Sequence, residues 1–148
     1  MMQPSEQGLA LIRRFEGFCA TPYRCPAGYL TIGYGHRVGA RESFPEPLSP
    51  EQAEALLARD AGAAGAAVSR YVTVALAQCQ FDALTSFVFN LGAMAFARST
   101  LLQVVNKGWH AEVPAQLMRW VNAGGKPLPG LAARRAAEAE LYEGDTQG

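Results

Sequence analysis

The sequence predicts an α+β fold, mostly helical, with a small N-terminal β-hairpin or meander lobe and a cleft between the lobes. Three observations carry this. Apolar residues recur at spacings of three and four through most of the 148 residues. That period disappears between Thr21 and Val38, where Tyr, Thr and Ile stand among Pro22, Pro26, Gly28, Gly33 and Gly35. Ser, Pro and Gly occupy the places where helices start and stop. The expected organisation is a single domain over 1–148, with the β lobe at about 17–48 and the helical lobe formed by 1–16 and 49–148.

Taken in order, Ser5 is placed to cap a helix whose apolar positions are Leu9, Ile12, Phe15 and Cys19, with Glu16 on the Leu9/Ile12 side and Gly17 as its stop. Burial and the negative end of the helix dipole both disfavour an ionised Glu16, so its pKa is expected above the usual carboxylate value, as a general acid requires. The β segment follows, with Pro26-Ala27-Gly28 as its first turn. A hairpin there brings Cys25 and Thr31 onto neighbouring strands. Ser49-Pro50-Glu51-Gln52 reads as a capping box with Pro at the first helical position, and the helix it starts runs past Gly62 and Gly65 towards Tyr71. Gln78 to Leu91, carrying Phe81, Leu84, Phe87 and Val88, is the expected hydrophobic centre, ended by Gly92. A helix through Leu101 to Val105 stops at Gly108. A further helix contains Val113, Leu117 and Trp120, a loop spans Gly124 to Gly130, and a last helix carries Leu131, Arg134, Arg135, Glu138 and Leu141.

Composition narrows the function. Thirteen basic and thirteen acidic residues leave no net field to draw the chain onto a polyanion, so nucleic-acid binding ranks lowest. No apolar run reaches the length of a membrane span, and the first residues lack the pattern of a signal peptide; a soluble protein made in a cytoplasm is expected. Three cysteines make no disulfide framework or zinc site, and neither metal nor cofactor is expected.

Taken singly, the chemical residues have bland readings. Glu16 is a solvated helix residue, Cys25 a small apolar side chain, Thr31 a strand former and His36 a structural hydrogen-bonding residue. Arg134 and Arg135 form a solvated helix face, and Met94 and Met118 are packing.

Their combination reads differently. Glu16, eight residues, Cys25, five residues and Thr31 match the signature of the glycoside hydrolase family of phage-type lysozymes, the endolysins, and the run Gly28 to His36 resembles that family closely. Two more blocks resemble it in the right order: Gln80 to Gly92, and Gly130-Leu131 followed by Arg134-Arg135 and Glu138. The likeness extends from about Leu9 to Tyr142. It implies a lysozyme-like fold and a muramidase cutting the β-1,4 bond between N-acetylmuramic acid and N-acetylglucosamine in bacterial peptidoglycan, in the service of phage or prophage lysis. On that implication Glu16 protonates the departing oxygen, while Cys25 and Thr31 act on water across the sugar. Asn90 is the candidate sugar contact.

A thiol of pKa about 8.5 is only a few per cent thiolate near pH 7, and lowering it to about 7 takes roughly 2 kcal/mol from a cation or donor. Arg134 or Arg135 is the expected source. A neutral thiol holding water and a thiolate nucleophile remain alternatives, and oxidation of Cys25 with Cys19 would block the thiol. The resemblance further implies a monomer that waits in the host cytoplasm and reaches the periplasm and cell wall through a holin or other membrane lesion. The rival readings are a retired muramidase fold that binds peptidoglycan or a protein, and a lytic transglycosylase.

Overall fold

The computed structural model describes residues 2–144. Helix α1 (Glu6–Glu16) leads into a three-stranded antiparallel meander, β1 (Cys19–Arg24), β2 (Leu30–Gly33) and β3 (His36–Arg37), with β2 in the middle. Helix α2 (Pro50–Tyr71) follows, then α3 (Gln78–Leu91), α4 (Ala93–Ala97), α5 (Thr100–Asn106), a 3-10 turn at His110–Glu112, α6 (Val113–Leu117), a second hairpin of β4 (Asn122–Ala123) and β5 (Lys126–Pro127), and α7 (Pro129–Glu143). The mostly helical α+β architecture with a small β lobe is the one expected.

Helix α3 is the centre. Every residue from Phe81 to Val88 is buried, because α1, α2 and α7 all pack against it. Its end at Gly92 and the capping box of α2, in which Ser49 Oγ accepts from Gln52 N and Gln52 Oε1 from Ser49 N, are as read from sequence. The β lobe is pinned to α2 through His36. Its Nδ1 lies 2.7 Å from Asp60 of α2 and its Nε2 lies 2.8 Å from Glu42. Burial works against a charged His36, but the two carboxylates win and raise its pKa. The structural reading of His36 holds.

Several details differ from the expectation. Ser5 sits at the N-cap, yet its N–H donates to Asp82 Oδ1 at 3.0 Å and its hydroxyl bonds the same carboxylate. A fully buried Asp82 needs donors more than the first helical turn does. Cys19 lies on β1, because Gly17 at φ +69 ends the helix before it. The loop at 124–130 is partly a hairpin, Gly124 and Gly125 at φ +59 and +78 supplying its turn. Trp120 falls beyond α6 and packs edge-on against Phe87, ring centroids 5.4 Å apart. Met94 and Met118 are 57% and 42% exposed and so are not core packing. Arg134 and Arg135 are 4% and 0% exposed. They form no solvated face, because α7 turns them inward onto α3.

Candidate active site

Glu16 ends α1, and two elements distant in sequence fix its carboxylate. Arg134 Nη1 of α7 donates to Glu16 Oε2 at 2.7 Å. On the other side the turn between β2 and β3 presses close: a Cβ on Gly35 would stand 2.5 Å from Glu16 Oε1, and Gly35 has φ +76. Glycine is required there both for the backbone conformation and for the approach. Burial and the helix end are legible in the sequence around Glu16, but no cation is. The structure adds one in direct contact.

Behind Glu16 lies a buried polar cluster. Arg134 Nη2 reaches Ser86 O at 3.3 Å, and its Nε lies 3.5 Å from Glu138 Oε2. Ser86 Oγ donates to Glu138 Oε2 at 2.6 Å, while Arg135 Nε lies 2.8 Å from Glu138 Oε1. Burial pushes the Glu138 carboxyl up against the pull of Arg135 and Arg134, and burial lowers Arg135. Arg135 Nη2 donates to Asn90 Oδ1 at 2.7 Å. Asn90 thus joins the site through Arg135, with one acceptor position of its carbonyl oxygen engaged and its amide N–H groups left for a ligand.

Cys25 and Thr31 come together on the meander. Tyr23 pairs with Thr31 and Arg24 with Leu30, and Cys25 N donates to Tyr29 O at 2.9 Å, so the chain turns at Pro26-Ala27-Gly28 as expected. Burial works against ionisation of Cys25, yet the backbone N–H groups of Tyr29 and Ala27, the Thr31 hydroxyl and the Arg37 charge together hold its thiol below the ordinary value. The cation is Arg37. The expectation of Arg134 or Arg135 fails, because one is committed to Glu16 and the other to Asn90 and Glu138. Tyr23 links the two halves of the site: burial raises its pKa, and the charges of Cys19, Glu16 and Cys25 add to that.

A Cys19–Cys25 disulfide does not fit the structure. Cys19 lies opposite Gly33 and Cys25 opposite Tyr29, four residues or about 13 Å apart along β2, whereas a disulfide needs Cα atoms within about 7 Å.

A groove of about 340 Å³ runs between β3 and helices α2, α3 and α4, with Gly35, His36, Arg37, Asp60, Val88 and Phe89 in its walls. Glu16, Cys25 and Thr31 do not line it; Gly35, against which Glu16 rests, connects Glu16 to it. Two larger hollows lie away from this chemistry, one beneath Phe44 to Leu48 and one between α1 and α7 beside Cys79.

The family profile described as Phage lysozyme matches residues 13–138, which includes Glu16, both strands of the hairpin and the Arg134–Glu138 cluster. The chain belongs to the phage lysozyme family. Membership makes the protein a lysozyme, a hydrolase of glycosidic bonds. It is 42% identical over 146 residues to an endolysin of Acyrthosiphon pisum secondary endosymbiont phage 1, covering 96% of this chain and 99% of that one. The endolysin of Bacillus phage PZA is 40% identical over 98% of this chain, which spans only 57% of that longer protein. Among solved structures, the muramidase domain of SpmX from Asticaccaulis excentricus superposes with a TM-score of 0.85 at 38% identity, covering 96% of this chain and 98% of that one.

Gly35, Tyr23 and Arg37 carry no assigned role from sequence, and Arg134 is matched there to Cys25, whereas its partner is Glu16. The signal for Arg134 was present, since Arg134 and Glu138 stand one helical turn apart on a helix otherwise rich in alanine, a face suited to burying a charge pair.

Proposed function

We propose that the protein is an N-acetylmuramidase that hydrolyses the β-1,4 bond between N-acetylmuramic acid and N-acetylglucosamine in bacterial peptidoglycan, and that it serves phage or prophage lysis of the host cell. The whole chain acts as one catalytic unit and as a monomer. Glu16 is the general acid, delivering its proton to the departing glycosidic oxygen. Cys25 and Thr31 hold and activate the water that attacks the opposite face of the sugar. Asn90 offers its amide to a sugar substituent. No helix among the described residues is long and apolar enough to cross a membrane, and delivery to the wall is assigned to a holin lesion.

The observation that supports this most is the fixed carboxylate: Glu16 is gripped by Arg134 and the Gly35 turn. General-acid catalysis needs a proton donor that does not wander. The test is a matched assay of wild type, Glu16→Gln, Cys25→Ser and Cys25→Asp on purified peptidoglycan, with reducing ends counted and product anomers followed by NMR. Glu16→Gln should abolish release, and Cys25→Asp should retain activity that Cys25→Ser loses. Release surviving Glu16→Gln would refute the acid, and anhydro products would reassign the reaction to a lytic transglycosylase.

A further inference from the structure

Side chains alternate between the two faces of a strand, and directly opposed residues of an antiparallel pair share a face. Tyr23 opposes Thr31 and Thr31 opposes Arg37, so the three lie in a row across the meander. Two positions along each strand, Cys25 and Tyr29 fall on this same face, while Arg24 and Leu30 take the other. Ile32, on the far side from Thr31, goes into the core with Leu48 and Ala53. The Arg37 guanidinium lies 3.9 Å from the centroid of the Tyr29 ring, a stacked position, and has no carboxylate partner among the described residues. A stacked guanidinium is held in place where a free one would sample solvent.

We infer that Arg37, held by the Tyr29 ring, is a positioning residue that supplies the positive charge keeping the Cys25 thiol ready to ionise, an inference that rests on the proposed role of Cys25 at the water side of the site. The other groups acting on the thiol are the backbone N–H groups of Tyr29 and Ala27 and the Thr31 hydroxyl, while Tyr23 of β1, on the same face, also feels the charge of Glu16 of α1. Arg24 is turned away, donating to Gly28 O at 2.9 Å. Arg37 is therefore the cation on the face that otherwise presents neutral or acidic groups. It adds to the larger pull of the Tyr29 and Ala27 N–H groups and the Thr31 hydroxyl at a place where an inverting glycosidase ordinarily uses a second carboxylate.

The test is alkylation of Cys25 by iodoacetamide across pH, read on the Cys25 peptide by mass spectrometry so that Cys19 and Cys79 do not contribute. Cys25 and Arg37 are two strands apart, about 10 Å, and a charge at that distance through solvent changes the thiolate fraction about twofold. Arg37→Gln should therefore slow alkylation at pH 7 about twofold and move the midpoint upward. Arg37→Lys should keep most of the wild-type rate, Tyr29→Ala should fall between, and about 1 M salt should erase the difference between wild type and Arg37→Gln. The pH–activity profile of Arg37→Gln should move in the same direction by the same amount. Equal midpoints in wild type and Arg37→Gln would overturn the inference, as would equal losses in the Lys and Gln variants. Full activity of Cys25→Ser would instead remove the role proposed for the thiol, and with it any role for Arg37 in turnover. Equal midpoints with Cys25→Ser inactive would remove Arg37 alone.

Discussion

Replacing Arg134 by Met tests whether the buried guanidinium is what holds Glu16, the proposed acid. Arg134 is 4% exposed and touches Glu16 at 2.7 Å, Ser86 O at 3.3 Å and Glu138 at 3.5 Å. Its loss leaves Glu138 with one cation in place of two and Glu16 with none. Removing one partner of a buried ion pair costs about 3–5 kcal/mol. The Glu16 side chain is 20% exposed and can recover some water, so the lower end, about 3 kcal/mol, is expected, lowering Tm by about 6–12 °C for a chain of this size. Glu16→Gln is gentler at about 1–2 kcal/mol, because the amide oxygen still accepts from Arg134. The double variant Glu16→Gln with Arg134→Met should cost less than the sum by about 1–2 kcal/mol, the two side chains being in contact. In Arg134→Met, kcat should fall about 100-fold with KM changed much less, as for a displaced catalytic group. Urea unfolding of the four proteins and reducing-end release from peptidoglycan measure both. Strict additivity, or a wild-type kcat in Arg134→Met, would refute the reasoning.

Other consequences are equally specific. Gly35→Ala should fold with a loss of about 1–2 kcal/mol from its positive φ, yet lose most activity because the new methyl displaces the Glu16 carboxylate, readable as a fall in kcat beside a modest Tm change. The folded-state pKa of His36 is raised, so its contribution to stability is complete below its unfolded value of about 6.5 and is lost as pH rises through the folded value. Glu42, lowered first by the Gly39 N–H and then by His36, contributes above its ordinary value of about 4.5 and loses that contribution as pH falls through the folded value. Denaturant titrations should therefore show greatest stability between those limits, and His36→Asn should flatten the alkaline limb. Activity of the purified protein should be the same with and without reductant, since β1 holds Cys19 and Cys25 too far apart to bond; oxidative loss restored by thiol would contradict this.

Most of the fold was legible because its signals are local. The capping box at Ser49, the apolar period of α3 and its stop at Gly92 each depend on residues within a turn or two, and each stands where it was expected. The hairpin that brings Cys25 beside Thr31 was legible for the same reason, through Pro26 to Gly28. What was missed depends on pairings across the chain. Ser5 serves Asp82, 77 residues away, and that choice overrides its local capping chemistry. Arg134 reads as a surface residue until Glu16 and Glu138 are placed around it. The Arg37–Tyr29 stack needs the register of a three-stranded sheet, which spacing alone does not give.

The cluster behind Glu16 is hard to account for by stability. Arg134, Arg135 and Glu138 lose nearly all their solvent, and well-packed apolar residues in such places are commonly as stable or more so. Position gives the better account. Glu16 and Arg134 lie 118 residues apart, and they meet only when α7 has docked on α3 and the turn at Gly35 has closed from the other side. A surface lysine could offer the same charge, but with a flexible stem and no fixed direction. A guanidinium buried against Ser86 and Glu138 can present its Nη1 in few other directions. The desolvation cost thus falls on α7, while the gain appears at a carboxylate on α1. A fold that places buried charge where stability does not require it is explained by the geometry it imposes on the carboxylate proposed as the acid.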